Sequence, residues 1–311
     1  MKYRMPKPAA DYPVLQRDPV TGDCVVFAPK RQTRPHDAAK KKPEDRFSAK
    51  NLKRETVLAE FGRGEDRIMA IGNAFPVFGA QSPLGGHQEI LVEGRANRRF
   101  SSFTAKRMAD VLDAMAARAG DLRKSQRHFK YVVVFKNEGQ AAGASQEHAH
   151  SQIFALPFVP DRLERTLGNR LALAKRVKAT PHALLLAEAT PERIILKDAR
   201  VMAFADPFTP FAYGVRIVLR RGIDNITQTT EAERHSLAQA LHTLMPLVRR
   251  NGWALNFHLH DVMADRHEPF DIRFFPRTNI TAGFEFDAGL YINPVSPEQA
   301  AEEYRKAVGR A

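Results

Sequence analysis

The stretch that decides the fold of this 311-residue chain is Asn137-Glu-Gly-Gln-Ala-Ala-Gly143-Ala-Ser145-Gln-Glu-His148-Ala-His150-Ser-Gln152. It lies between residues 130–136 (KYVVVFK) and 151–156 (SQIFAL), two apolar, β-branched runs that read as strands. On a strand, residues two apart share a face, so His148, His150 and Gln152 line one surface. Gly139 and Gly143 allow a sharp loop whose backbone N–H groups come close to a phosphate. Ser145 and Gln152 add neutral hydrogen-bonding groups. The layout suits an imidazole that attacks phosphorus, with one ring nitrogen held as N–H by a backbone carbonyl and the other presenting its lone pair. An isolated His-x-His also suits two structural histidines or half a zinc site, but this pair has no cysteine or histidine near it to complete a tetrahedral set.

Working outward, residues 87–93 (HQEILVE) alternate as a strand and residues 102–124 carry helical spacing through Met108, Val111, Leu112, Met115 and Leu122. The same order recurs later: a strand at 214–220, a helix at 230–249, and strands at 254–260 and 270–275. The reading is an α+β fold of two tandem units, each an antiparallel sheet with a packed helix. Residues 1–178 form the catalytic unit and 179–311 the second, in which Asp271 and Arg273 fall where His148 and His150 stand in the first. His258, His260 and His267 are spaced too irregularly for a metal site, and residues 260–268 read as a solvated loop.

Composition narrows the class. Hydrophobic residues are 43 % and charged residues 27 %, as in an ordinary globular protein. No run approaches the roughly 20 apolar residues of a membrane helix. The start carries no signal-peptide pattern, and the single cysteine, Cys24, excludes an internal disulfide framework, which together predict a cytoplasmic protein. The net charge is +13, and residues 30–54 hold ten Lys or Arg against three Asp or Glu. That segment is a solvated loop or a phosphate-gathering arm; with Phe47 as its sole aromatic residue it does not read as a nucleic-acid surface.

The run FKNEGQAAGASQEHAHSQIFALPFVP (135–160) resembles the active-site segment of galactose-1-phosphate uridylyltransferases, within the histidine-triad class. Residues 17–22 with 29–35 resemble that family's amino-terminal phosphate segment, and residues 270–293 its sugar-side segment. The resemblance implies that His150 is the nucleophile of a nucleotidyl-histidine intermediate. It implies that Gln152 and Ser145 hold the phosphoryl oxygens, that His148 belongs to the catalytic set, and that Asn137 and Gly143 shape the phosphate loop. Arg31 and Arg34 would pair with phosphate, Asn73 and Phe75 would meet base and ribose, and Glu285 would face sugar hydroxyls. The implied activity is nucleotidyl transfer between a nucleotide sugar and a sugar 1-phosphate in a homodimer; the alternatives are a phosphorylase or hydrolase, and a non-catalytic nucleotide- or RNA-binding protein. Where many members carry a Cys-x-x-Cys zinc pair, residues 39–54 are lysine-rich and lack cysteine, and Asn97 replaces a zinc histidine. Asp271 and Arg273 also stand where some members have histidines of a second metal site. The departures predict no structural zinc and no cofactor.

Overall fold

The computed structural model describes residues 13–17, 24–28, 45–52, 55–94, 98–125, 128–263 and 268–309. Arg31, Arg34, Asn97 and residues 39–44 and 53–54 of the lysine-rich stretch lie outside them, as does His267. Strands β1 (Val14–Arg17) and β2 (Cys24–Phe27) form an antiparallel hairpin. A short helix α1 (Ala49–Leu52) then leads to β3 (Val57–Phe61), β4 (Ile68–Gly72) and β5 (His87–Glu93). Helix α2 (Ala105–Lys124), β6 (Tyr131–Glu138) and β7 (His150–Leu156) complete the first unit. After α3 (Asp161–Val177) and α4 (Pro181–Ala187) come β8 (Ile194–Lys197), β9 (Val201–Ala205) and β10 (Val215–Leu219). Helix α5 (Glu231–Asn251), β11 (Leu255–Val262), β12 (Asp271–Pro276), α6 (Gly283–Ala288) and α7 (Pro297–Val308) end the chain.

The two units share one antiparallel sheet of order β3-β4-β5-β7-β6-β11-β12-β10-β9-β8. Its two halves mirror one another about the β6–β11 seam. Each half-sheet has one apolar face, and closing the seam lets both faces share one core. Helices α2 and α5 pack on each other over that face, burying Val111, Leu112, Leu241 and Leu244 against Val134, Ile153, Phe257 and Phe274. Each such side chain contributes about 1.5–3 kcal/mol of transfer free energy. The helices begin where the sequence provides oxygen acceptors. The Thr104 side chain accepts from the Arg107 N–H, and Thr230 and Glu233 form a reciprocal capping box at the start of α5. Gly252, at φ 62°, closes α5 in the left-handed conformation.

The strand registers fix how the halves correspond. Each edge carries an irregularity, between Val57 and Ala59 in the first half and between Ile194 and Leu196 in the second. Tracing cross-strand partners inward from these bulges gives one row across the sheet: Ile71, Ile90, Gln152, Phe135, His258, Arg273, Arg216, Phe204. Its halves match in reverse order, so Phe135 corresponds to His258, Gln152 to Arg273 and Ile90 to Arg216. Asp271 therefore stands at the place of His150, two residues from the sequence expectation, which had set Asp271 against His148. The register is invisible in sequence because the loops before β7 and β12 differ in length.

The described residues of the stretch 260–268 also differ from expectation. His260, Asp261 and Val262 are the buried end of β11, and Glu268 is buried beside them rather than solvated. His258, on the face away from the core helices, has its pKa pushed down to about 4 from 6.5, mainly by burial, then by Arg273 and His260. Between those two values the unfolded chain binds a proton that the folded chain refuses, so stability falls as pH drops through that window. The effect is at most about 3 kcal/mol. Urea unfolding of a His258→Phe variant, which restores the residue found at position 135, should show a flatter stability profile between about pH 6.5 and 4 than the parent chain.

Candidate active site

His150 begins β7 on the face opposite the core helices and is 4 % exposed. Its Nδ1 lies 2.8 Å from the backbone oxygen of His148. A carbonyl only accepts, so Nδ1 carries the hydrogen and Nε2 the lone pair. Beneath it, on the core face, Lys136 is 1 % exposed, donates to the His150 carbonyl at 2.8 Å and pairs with Glu93 at 2.8 Å. Ser151 donates to the other oxygen of Glu93 at 2.5 Å. The backbone on both sides of the imidazole is thus tied down, one carbonyl holding the ring and the next held by a buried ammonium.

His148 does not face the same opening. Its ring is 1 % exposed, with Nδ1 2.9 Å from Asp45 Oδ2 and Nε2 2.8 Å from the Gly94 carbonyl. Both partners are oxygen acceptors, the Asp45 carboxylate and the Gly94 backbone carbonyl. The expectation that His148 acts in the chemistry is corrected to a supporting role, because neither ring nitrogen is available to a substrate. Asp45 belongs to a short segment seated on this loop: the Arg46 N–H donates to Gln146 Oε1 at 3.3 Å, and the Phe47 ring lies 5.1 Å from that of His150.

The opening over His150 is a cleft of about 30 Å³ that brings together Ser145, Gln152, Asn73 and Phe75, and is lined also by Arg46, Phe47, Glu55 and Gln146. Asn73 Oδ1 accepts from the Phe75 N–H at 2.9 Å, fixing the turn that brings both residues to the cleft. The Arg46 guanidinium lies 5.2 Å from the centre of the Phe75 ring. Arg46 is the cation and Glu55 the anion among the described lining residues. No sequence signal separated Arg46 from its basic neighbours.

Asn137 and Gly143 do not line the cleft; they build the loop beside it. Asn256 Nδ2 donates to Asn137 Oδ1 at 2.7 Å and to the Ala142 carbonyl at 2.9 Å, so the second unit braces the loop of the first. Gly143 adopts φ 79° and its N–H donates to the Gln140 carbonyl at 2.9 Å, so it shapes the loop and its own amide is spent inside it. Gly139 has φ 84°, and a Cβ there would sit 2.8 Å from Ala254 Cβ, so glycine is required both by conformation and by space. Glu285 is likewise absent from the cleft; it lies in α6 and accepts from the Ala282 N–H at 3.0 Å. Among the described residues no three His, Cys, Asp or Glu side chains converge as metal ligands.

The whole chain has relatives. ADP-glucose phosphorylase of Arabidopsis thaliana is 25 % identical over 330 aligned positions, which cover 94 % of this chain and 93 % of that protein. Galactose-1-phosphate uridylyltransferase of Thermotoga maritima is 24 % identical, covering 94 % and 98 %. Among solved structures, a uridylyltransferase matches with a TM-score of 0.80 at 23 % identity, over 96 % of this chain and 99 % of that one. The Arabidopsis thaliana ADP-glucose phosphorylase with bound ADP-glucose matches with a TM-score of 0.76 at 21 % identity, over 94 % and 99 %. These matches establish the α+β fold and bear out the family resemblance read from residues 135–160. The model of the family described as domain of unknown function DUF4921 covers residues 92–310, and the chain belongs to that family, with galactose-1-phosphate uridylyltransferases and ADP-glucose phosphorylase among its relatives.

Proposed function

We propose that the chain is a nucleotidyltransferase that passes a nucleoside monophosphate from a nucleotide sugar to a second phosphate through His150. The observation that carries this reading is the hydrogen bond from His150 Nδ1–H to the His148 carbonyl, which directs Nε2 to a cleft bearing Ser145 and Gln152. Nε2 attacks the α-phosphorus; the N–P bond forms as the bond to the sugar 1-phosphate breaks, and that phosphate leaves with the electron pair. An oxygen of the second phosphate then attacks, and the pair of the N–P bond returns to Nε2. Charge builds on the non-bridging oxygens in both steps, where the Ser145 hydroxyl, the Gln152 amide and the guanidiniums of Arg46, Arg31 and Arg34 would stabilise it. Asn73 and Phe75, which line the cleft, would hold ribose and base.

The likeness to ADP-glucose phosphorylase favours a second acceptor, inorganic phosphate, as strongly as the likeness to uridylyltransferases favours a sugar 1-phosphate. Intact-mass measurement decides both points. Incubation with UDP-glucose or ADP-glucose should add UMP or AMP to the chain, and a chase with phosphate or with a hexose 1-phosphate should remove it. No adduct with either donor would overturn the reading.

The proposal assigns the transfer to residues 1–178 and substrate shaping to 179–311. It includes neither cofactor nor structural zinc; both ring nitrogens of His148 are taken up by hydrogen bonds, to Asp45 and to the Gly94 carbonyl. A cytoplasmic setting fits it, and no described helix is long and apolar enough to cross a membrane. We also propose a homodimer, supported by Ile280, Phe284, Leu290 and Ile292, which stand exposed on one segment. Light scattering should give twice the chain mass, and Ile280→Glu with Leu290→Glu should halve it.

A further inference from the structure

The second unit has a larger opening than the first. A cavity of about 640 Å³ lies on the sheet face that bears His150, and it shares no lining residue with the His150 cleft. Arg273 and Arg216 line it, and the registers place them where Gln152 and Ile90 line the first cleft. The two openings are thus equivalent positions of a duplicated sheet. We propose that the second is a nucleotide-binding site that holds its ligand without reacting with it.

The chemistry of the walls selects the ligand. The ionised lining side chains are Arg162, Arg216 and Arg273 against Asp206. Arg216 is committed to Glu188 at 2.7 Å and to Asp206 and Asp271 at 3.4 Å each. Arg273 bonds Asp271 through Nε at 3.2 Å, which leaves its two terminal nitrogens directed by that bond and without a hydrogen bond among the described residues. The exposed guanidinium of Arg162 has no hydrogen bond or ion pair among them either. Such planar, multi-donor groups suit a phosphate. The lining is also aromatic: Phe211 and Phe275 stack with centroids 4.8 Å apart, and Phe208 stands 77 % exposed. Phe211 is already stacked on Phe275 and covered by the Arg277 guanidinium 4.7 Å from its centre, so the exposed ring of Phe208 is the flat surface left for a nucleobase, and the volume is that of sites for molecules of this size.

The same geometry explains why no transfer occurs there. The position of the nucleophile is taken by Asp271, 4 % exposed. Burial alone would raise its pKa, but Arg273 and Arg216 outweigh burial and hold the carboxyl below its ordinary range. A carboxylate locked between two guanidiniums is a counter-ion rather than an attacking group.

The test uses the full chain carrying His150→Ala, which can form no histidine adduct; because the His150 cleft of this variant still offers Asn73, Phe75, Ser145 and Gln152, the second site is read from the change that substitutions in its own walls produce. Calorimetric titration with UMP and with AMP should show saturable binding by at least one of them, tighter than inorganic phosphate, uridine or adenosine alone. Adding Arg162→Gln or Phe208→Ala, both exposed positions, should weaken that binding roughly tenfold or more. The absence of saturable nucleotide binding, affinity no better than that of inorganic phosphate, or equal affinity in both added variants overturns the proposal.

Discussion

With His150 replaced by alanine, the chain takes up no covalent nucleotide from either UDP-glucose or ADP-glucose, and turnover falls by roughly 10⁴-fold or more. The size follows from what the imidazole supplies. Without it a single displacement must bring two phosphate groups together directly, against their mutual charge and without a held nucleophile. The loss is chemical rather than structural. Lys136 still holds the carbonyl of residue 150, because that contact is to backbone, and the β5–β7 and β6–β7 ladders are unchanged. Far- and near-ultraviolet circular dichroism should therefore overlay those of the parent. Stereochemistry gives an independent reading, since two in-line displacements return the α-phosphorus to its starting configuration and one inverts it. An alanine variant that keeps its rate, or a parent reaction that inverts at phosphorus, contradicts the nucleotidyl-histidine.

Much of this site was legible in the sequence, and for a definite reason. Residues 137–152 combine strand alternation, two loop glycines and uncharged hydrogen-bonding groups, and few other structures demand that combination. The cleft accordingly holds His150, Gln152, Ser145, Asn73 and Phe75 together. The strands read at 87–93 and 270–275, observed at 87–93 and 271–276, and both long helices were legible from hydrophobic periodicity. Shorter edge strands such as β3 and β8 carry too few residues to display a period. Lys136 reads from sequence as the polar end of a strand, yet it is buried, because its partner Glu93 arrives from a different strand. Asp45 was hidden for the same reason: it sits among lysines and arginines, and its partner is 103 residues away. The second cavity was hidden because its arginines gain meaning only once the registers set Arg273 at the place that Gln152 holds in the first unit.

Asp45 is where the second large effect is expected. Asp45→Ala should slow adduct formation about 10–100-fold while nucleotide affinity changes little. The physical chain is short. Removing the carboxylate leaves a nitrogen of the His148 ring, 1 % exposed, without its acceptor, an imbalance of about 1–3 kcal/mol. The ring relieves it by turning or shifting, and the backbone of His148 moves with it. That backbone oxygen is the acceptor of His150 Nδ1–H, so the tautomer and aim of the nucleophile both loosen. The Phe47 ring, 5.9 Å from His148 and 5.1 Å from His150, loses its seat in the same step. Asp45→Asn keeps an oxygen in place and should recover part of the rate, which a general loss of stability would not predict. Single-turnover kinetics on the parent and both variants, with nucleotide binding measured alongside, separates the cases. A rate unchanged in the alanine variant, or rate and affinity falling together with unfolding, would remove Asp45 from the account of how His150 is held.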